Sequence, residues 1–248
     1  MKKILIVLPT FNEELVVEKN TLAVFHFCRE KLKNHDWQIV IADNGSSDQT
    51  PKIAEKLSKE FSKISFFHIP DKGRAFALKK AWRDYQADLY SFMDIDLATD
   101  LKYFLPLVQA IEEEKYDLAI GSRLKKGTKT KRSLSREFVS RTYNFLLKIF
   151  FNPSFKDAQC GFKIINKKVV QEILPMIKNN MWFFDTELLV SAENYGFRIK
   201  EIPVEWVEKR TGIRKSKVNV FSTAWEDIKG IIELKIRLLR NMKKRNKK

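Results

Sequence analysis

A chain of 248 residues with 44% hydrophobic residues can bury one sizeable core, so a single domain is expected and a disordered protein is excluded. The balance of 47 Lys and Arg against 31 Asp and Glu leaves +16, which favours a polyanionic partner: nucleic acid, an anionic membrane surface or phosphorylated substrates. Only 8 Gly and 7 Pro punctuate the chain, and no fixed-period repeat is present, which excludes a repeat array.

Ile4 to Leu8 is an apolar run ending in Pro9-Thr10, the pattern of a parallel strand buried on both faces. Glu13 to Leu32 carries apolar residues at helical spacing, and Trp37 to Ala42 reads as a second strand broken by Asp43-Asn44-Gly45. Ser47-Asp48 caps a helix with Pro51 in its first turn, where a missing N–H costs nothing. Ile64 to Ile69 is a third strand, Gly73 opens a helix, and Leu89 to Met93 and Asp117 to Ile120 are further strands. This alternation predicts an α/β fold with a mostly parallel, Rossmann-like sheet and helices on both faces, whose ligands lie beyond the carboxyl ends of the strands.

After Arg123 the pattern predicts a basic loop to Arg132, a helix to about Phe151, a strand near Phe162 to Ile165, a helix near Asp185 to Tyr195 and a strand over Ile199 to Val207. Thr223 to Arg240 interleaves Trp225, Ile228, Ile231, Ile232 and Leu234 with Lys and Arg, an amphipathic helix expected to pack on the domain rather than enter a membrane interface. No stretch approaches about 18 consecutive apolar residues, so no bilayer-spanning segment is expected. Cys28 and Cys160 lack metal-type spacing, which points to a reduced, cytoplasmic chain.

Asp94 and Asp96 alternate at the end of an apolar strand, so both carboxylates fall on one side of the chain. Together they can hold Mg²⁺ or Mn²⁺, with water and substrate phosphates completing the shell, the composition of a diphosphate-binding metal site. Asp43 can accept from a base or ribose, or shape a turn; Asp48 is the better helix cap. Lys72-Gly73-Arg74 sets two cations and backbone N–H groups at a helix start, either a phosphate cradle or a solvated turn. Asp157 reads equally as a positioning residue or base and as a satisfied loop carboxylate; Glu187, beside Asp185, reads as solvated or capping; His26, His35 and His68 receive no role.

Pro9-Thr-Phe-Asn-Glu13, Asp43-Asn-Gly-Ser-Ser-Asp48, Lys72-Gly-Arg74, Asp94-Ile-Asp96 and Gly121-Ser-Arg123, in this order, resemble family-2 glycosyltransferases. Asp157 to Lys163, Trp182 to Leu189 and Glu201 to Trp206 are similar to the polyprenyl-phosphate branch, nearest its dolichyl-phosphate β-glucosyltransferases. The resemblance spans roughly residues 2 to 220. It implies a GT-A fold, a nucleotide-diphosphate sugar donor and inversion at the anomeric carbon. Residues 1–222 would form the catalytic domain and 223–248 a helix and basic tail.

By motif position the resemblance implies that Pro9, Glu13 and Asp43 face the nucleoside and that Asp94 lies near ribose or metal; Thr10, Asn12, Gly45, Lys72, Gly73 and Arg74 are further donor-binding candidates. The same resemblance implies that Asp96 would bind the metal and that Arg123, Arg136 and Arg141 would meet the acceptor phosphate or donor diphosphate. Arg210, Ser216 and Lys217 belong to a loop similar to the one that closes over dolichol-phosphate mannose synthases. Two departures lean away from those synthases: Ala98 stands where they commonly carry Gln, and the loop has an extra Arg214-Lys215 pair.

The expected activity is transfer of glucose from UDP-glucose to a dolichyl or polyprenyl phosphate at the cytoplasmic face of a membrane. An anionic membrane surface, with or without a separate membrane protein, is the expected partner. The alternatives are a GDP-mannose donor or another acceptor on the same fold and, more distantly, a nucleic-acid-binding protein. No nucleic-acid motif with interleaved exposed aromatics supports the last. A sugar-nucleotide pyrophosphorylase would need a Gly-rich signature that the first strand lacks.

Overall fold

The computed structural model describes residues 1–70, 73–131, 134–209 and 220–245. The amino-terminal half runs β1 (Lys3–Thr10), α1 (Val17–Lys31), β2 (Asp36–Asn44), α2 (Thr50–Glu60), β3 (Ile64–Ile69), α3 (Arg74–Asp84), β4 (Leu89–Met93), α4 (Phe104–Glu112) and β5 (Leu118–Ser122). The remainder comprises β6 (Lys129–Lys131), α5 (Leu134–Phe151), β7 (Phe162–Asn166), α6 (Lys167–Glu172), α7 (Phe184–Asn194), β8 (Ile199–Pro203), β9 (Glu205–Val207) and α8 (Val220–Arg245).

Seven strands form one sheet in the order β3-β2-β1-β4-β7-β5-β8, and β6 pairs with β9 in a second, two-stranded sheet. All neighbours in the large sheet are parallel except β7, which runs antiparallel to both β4 and β5. Strand alternation divides the core in two. Ile4, Ile6 and Leu8 of β1 face Val17, Val24 and Cys28 of α1, Leu57 of α2 and Leu107 of α4. Leu5 and Val7 face the other layer, with Leu78 and Trp82 of α3, Phe184 and Leu188 of α7, and Ile231, Leu234 and Leu238 of α8. Each such Leu or Ile contributes about 1.5–3 kcal/mol on burial. The sheet therefore carries helices on both faces, and α8 packs one side of itself into the core.

Three boundaries differ from the sequence pattern. The first helix starts at Val17, because the Glu13 carbonyl accepts from Val16 and Val17 and the preceding residues form a loop. β2 continues through Asp43 and Asn44, which stay in register with Thr10 on one side and with His68 and Ile69 on the other; the break falls at Gly45, whose φ of +83° suits glycine. The run Ile199 to Val207 is two strands in different sheets. Pro203 ends the pairing with β5, and after Val204 the chain crosses to β6, whose three residues lie inside the expected basic loop.

Candidate active site at the sheet edge

Strand β4 is buried throughout, and its last residue hands the chain to Asp94-Ile95-Asp96. Asp94 donates its N–H to the Gly161 carbonyl at 2.9 Å, and Leu97 closes the turn on the Asp94 carbonyl with a φ of +49°. Asp96 is 6% exposed and accepts from the Ala98 N–H at 3.0 Å. Both carboxylates line one shallow recess, together with Ala98, Thr99, Gly161 and Trp206. Gly161 leaves room for the Asp94 carboxylate. A Cβ at that position would lie 2.0 Å from Asp94 Oδ2, so the missing side chain is the space the carboxylate fills.

This donor set fits a divalent cation that draws its remaining ligands from water and phosphate. Two hard oxygen donors share a recess, and no group of three or more His, Cys, Asp or Glu suited to a metal occurs among the described residues.

Arg74 begins α3 and spans two carboxylates. Its Nη2 donates to Asp94 Oδ1 at 2.7 Å and its Nη1 to Asp185 Oδ2 at 2.8 Å. The guanidinium packs 5.0 Å from the Phe92 ring centre and 5.5 Å from that of Trp182. Burial opposes its charge, yet Asp94 and Asp185 hold its pKa above the ordinary arginine value. Asp185 also accepts from buried Lys163 at 2.7 Å. Lys72 lies outside the described residues. A Cβ at Gly73 would make a tight contact, 3.2 Å from the Asn180 carbonyl.

On the neighbouring strands the nucleoside candidates form a laced pair of loops. Asn12 (φ +52°) donates its N–H to Ser46 Oγ and accepts from the Ser47 N–H, both at 2.7 Å. Glu13, buried, donates its N–H to Thr50 Oγ1. Asp43 is fully buried and accepts from Thr10 Oγ1, the Ser46 N–H and the Ser46 hydroxyl, with His68 Nδ1 2.6 Å from its Oδ2. His68, given no role from the sequence, is therefore a partner of Asp43. Asp48 accepts from the Thr50 N–H at 2.9 Å and so serves the start of α2. Pro9 pairs with Ala42 at the edge of β1.

Asp157 is fully buried and takes three hydrogen bonds from Arg123: the N–H and Nε at 2.8 Å on Oδ2, and Nη2 at 2.9 Å on Oδ1. Burial pushes this carboxyl up, but the Arg123 guanidinium outweighs burial and holds it below the usual aspartate range. Arg123 lies 5.8 Å from the Trp206 ring centre, and Trp206 lines the recess. The neighbouring Cys160 thiol is pushed up to about 12, chiefly by burial.

Arg141 does not join this cluster. It is exposed on α5 and pairs with Glu137 one turn away. Arg136 lies in the first turn of α5. Arg210, Ser216 and Lys217 lie outside the described residues. Glu187, expected to be solvated or a cap, is 2% exposed: it accepts from the Lys178 and Asn179 N–H groups and from Arg237 of α8. The segment it pins reaches α3, where the Ala75 N–H donates to the Asn180 carbonyl at 3.1 Å.

The Glycosyl transferase family 2 pattern matches residues 5–174, more than half of the chain. The chain is 34% identical over 205 residues to glycosyltransferase AglD of Haloferax volcanii, covering 82% of this chain and 33% of that protein. It is 31% identical over 222 residues to a dolichyl-phosphate beta-glucosyltransferase of Saccharomyces cerevisiae, covering 82% and 66%. It thus spans a third of the length of the first relative and just under two thirds of the second. Its fold superimposes on glucosyl-3-phosphoglycerate synthase of Mycobacterium tuberculosis, solved with UDP, with a TM-score of 0.70 at 16% identity over 94% of this chain and 80% of that one. Mannosyltransferase PcManGT of Pyrobaculum calidifontis, solved with GDP-Man and Mn²⁺, gives 0.59 at 13% identity over 96% and 64%. With its mostly parallel sheet and its loops gathered at the strand ends, the fold is GT-A, and the chain belongs to glycosyl transferase family 2.

Proposed function

We propose that this glycosyltransferase moves glucose from UDP-glucose to a polyprenyl or dolichyl phosphate with inversion, working at an anionic membrane surface on the cytoplasmic side. The observation that carries the reading is the shared recess of Asp94 and Asp96, with Arg74 on one flank and Arg123 reaching it through Trp206. The relatives named dolichyl-phosphate beta-glucosyltransferase support the choice of donor and acceptor.

Asp94 and Asp96 would hold Mg²⁺ or Mn²⁺. When bound, such an ion supplies Lewis-acid stabilisation of the departing nucleoside diphosphate. A phosphate monoester, with its second pKa near ~6, is largely a dianion at neutral pH and attacks without a strong general base. Asp157 therefore acts by position: with both oxygens committed to Arg123, it fixes the guanidinium that faces phosphate rather than removing a proton. Arg74 stands at the start of α3, where the helix dipole adds to its charge, and favours the donor phosphates.

The outward faces of two helices support the membrane reading. Trp225, Ile228, Ile232, Ile236 and Leu239 form an exposed apolar stripe on α8, and Phe138, Phe145 and Ile149 form another on α5. The helices touch through Lys235, whose Nζ donates to the Phe150 carbonyl at 2.6 Å. Lysine and arginine at the margins of these stripes complement anionic headgroups. No helix among the described residues is long and apolar enough to cross a membrane.

The test is release of nucleoside diphosphate by purified protein with Mn²⁺, UDP-glucose or GDP-mannose, and polyprenyl phosphate in vesicles of anionic or zwitterionic phospholipid. UDP-glucose on anionic vesicles should turn over fastest, and Asp96→Asn should lower that rate by about 10²-fold. Preference for GDP-mannose would remove the donor assignment. Full activity of the variant would remove the metal assignment.

A further inference from the structure

Arg74 is shared by two carboxylates in unlike surroundings. The Asp94 side chain is 38% exposed and opens on the recess, whereas that of Asp185 is 4% exposed and is also held by Lys163. Lys163, Asp185, Arg74 and Asp94 thus form a run of alternating charge that sums to zero without any metal ion. Because the guanidinium offers separate Nη donors to each carboxylate and is flanked by Phe92 and Trp182, losing one of its two ion pairs would not set it loose.

We propose that Arg74 is a built-in competitor of the metal: it neutralises Asp94 in the cation-free protein and yields that carboxylate to the divalent cation while remaining on Asp185. Asp185 is then a positioning residue that sets how readily Arg74 lets go. The physical reason is that a guanidinium and a divalent cation repel when they share one carboxylate, so each weakens the other's hold. The inference rests on the reading of Asp94 and Asp96 as metal ligands.

Titration with Mn²⁺ alone, followed by loss of the free-ion electron paramagnetic resonance signal, separates the outcomes. Arg74→Gln should tighten Mn²⁺ binding by about tenfold, the change that one charge-assisted hydrogen bond supplies. Asp185→Asn should weaken it, because Arg74 then has only Asp94 to pair with; adding Arg74→Gln should restore the tight value. A merely structural role for Arg74 gives the opposite sign, since loss of support would loosen the ligands. Unchanged or weaker binding in Arg74→Gln would overturn the proposal. If Asp185→Asn fails to fold, with buried Lys163 deprived of its ion pair, Arg74→Gln decides alone. Absence of Mn²⁺ binding in the unaltered protein, by contrast, would sink the metal-site reading itself and this inference with it.

Discussion

In the first three strands the polar site residues end a strand or follow it by a few positions, and their partners lie on the adjacent strand, loop or helix start: Asn12 with Ser46 and Ser47, Glu13 with Thr50, Asp43 with Thr10 and His68. Beyond β5 the same edge is reached differently. Asp157 and Gly161 sit on irregular chain before the antiparallel β7, and Trp206 arrives on a strand that has left the main sheet. The first region depends on the regular β–loop–α backbone, so a single side chain there shares its work with many amides. The second depends on a few ion pairs and close approaches, each with little to replace it.

The sharpest break in this comparison should come from Asp157→Ala. It leaves the Arg123 guanidinium, with a 14% exposed side chain, beside an empty site, and should cost about 3–5 kcal/mol in urea denaturation. The matching change in the first region, Asp48→Ala, removes one acceptor from the start of α2 and should cost about 1 kcal/mol. Equal losses would erase the distinction.

Gly161→Ala should act next most strongly, pushing the Asp94 carboxylate aside. We expect Mn²⁺ affinity to fall by about tenfold and stability by about 1–3 kcal/mol, checked by binding and melting on the same sample. Normal affinity would mean that Asp94 can move freely without loss.

The smallest effect concerns Asp227 on α8, which is 5% exposed and accepts from Gln159 at 3.2 Å, while its Oδ1 has no hydrogen-bond partner among the described residues. Burial pushes its carboxyl up from 3.8 to about 7; the Gln159 hydrogen bond, next in size, opposes this, and the charges of Glu226 and Asp185 add smaller upward contributions. The folded state therefore holds a proton that the unfolded chain has released. Its contribution to stability is complete below about 3.8 and is lost as pH rises through about 7. Asp227→Asn should flatten that decline and raise the melting temperature above pH 7 by about 3 °C. An unaltered pH profile would count against the buried, protonated carboxyl.

Much of the sheet was legible because an apolar run ending in a polar turn has few interpretations, and the paired carboxylates after β4 stand out by their period of two. The antiparallel direction of β7 was not legible, since the periodicity of Phe162 to Ile165 is the same whichever way the strand runs. Nor was the division of Ile199 to Val207, although Pro203 marked the place. Arg74 could be put at a helix start, but its second carboxylate lies 111 residues away, and local spacing carries no trace of that pairing. The same holds for His68 on Asp43 and for Glu187 beneath α8. In each case the burial that makes the polar residue consequential is created by distant chain.

Glu187 has one more consequence. It ties Arg237, near the end of the chain, to the amides of Lys178 and Asn179, and the next residue's carbonyl receives the first turn of α3. Helix α8 therefore has mechanical purchase on the Arg74 cation: shortening the protein ahead of Arg237 strips a charge from beneath the platform on which Trp182 covers Arg74.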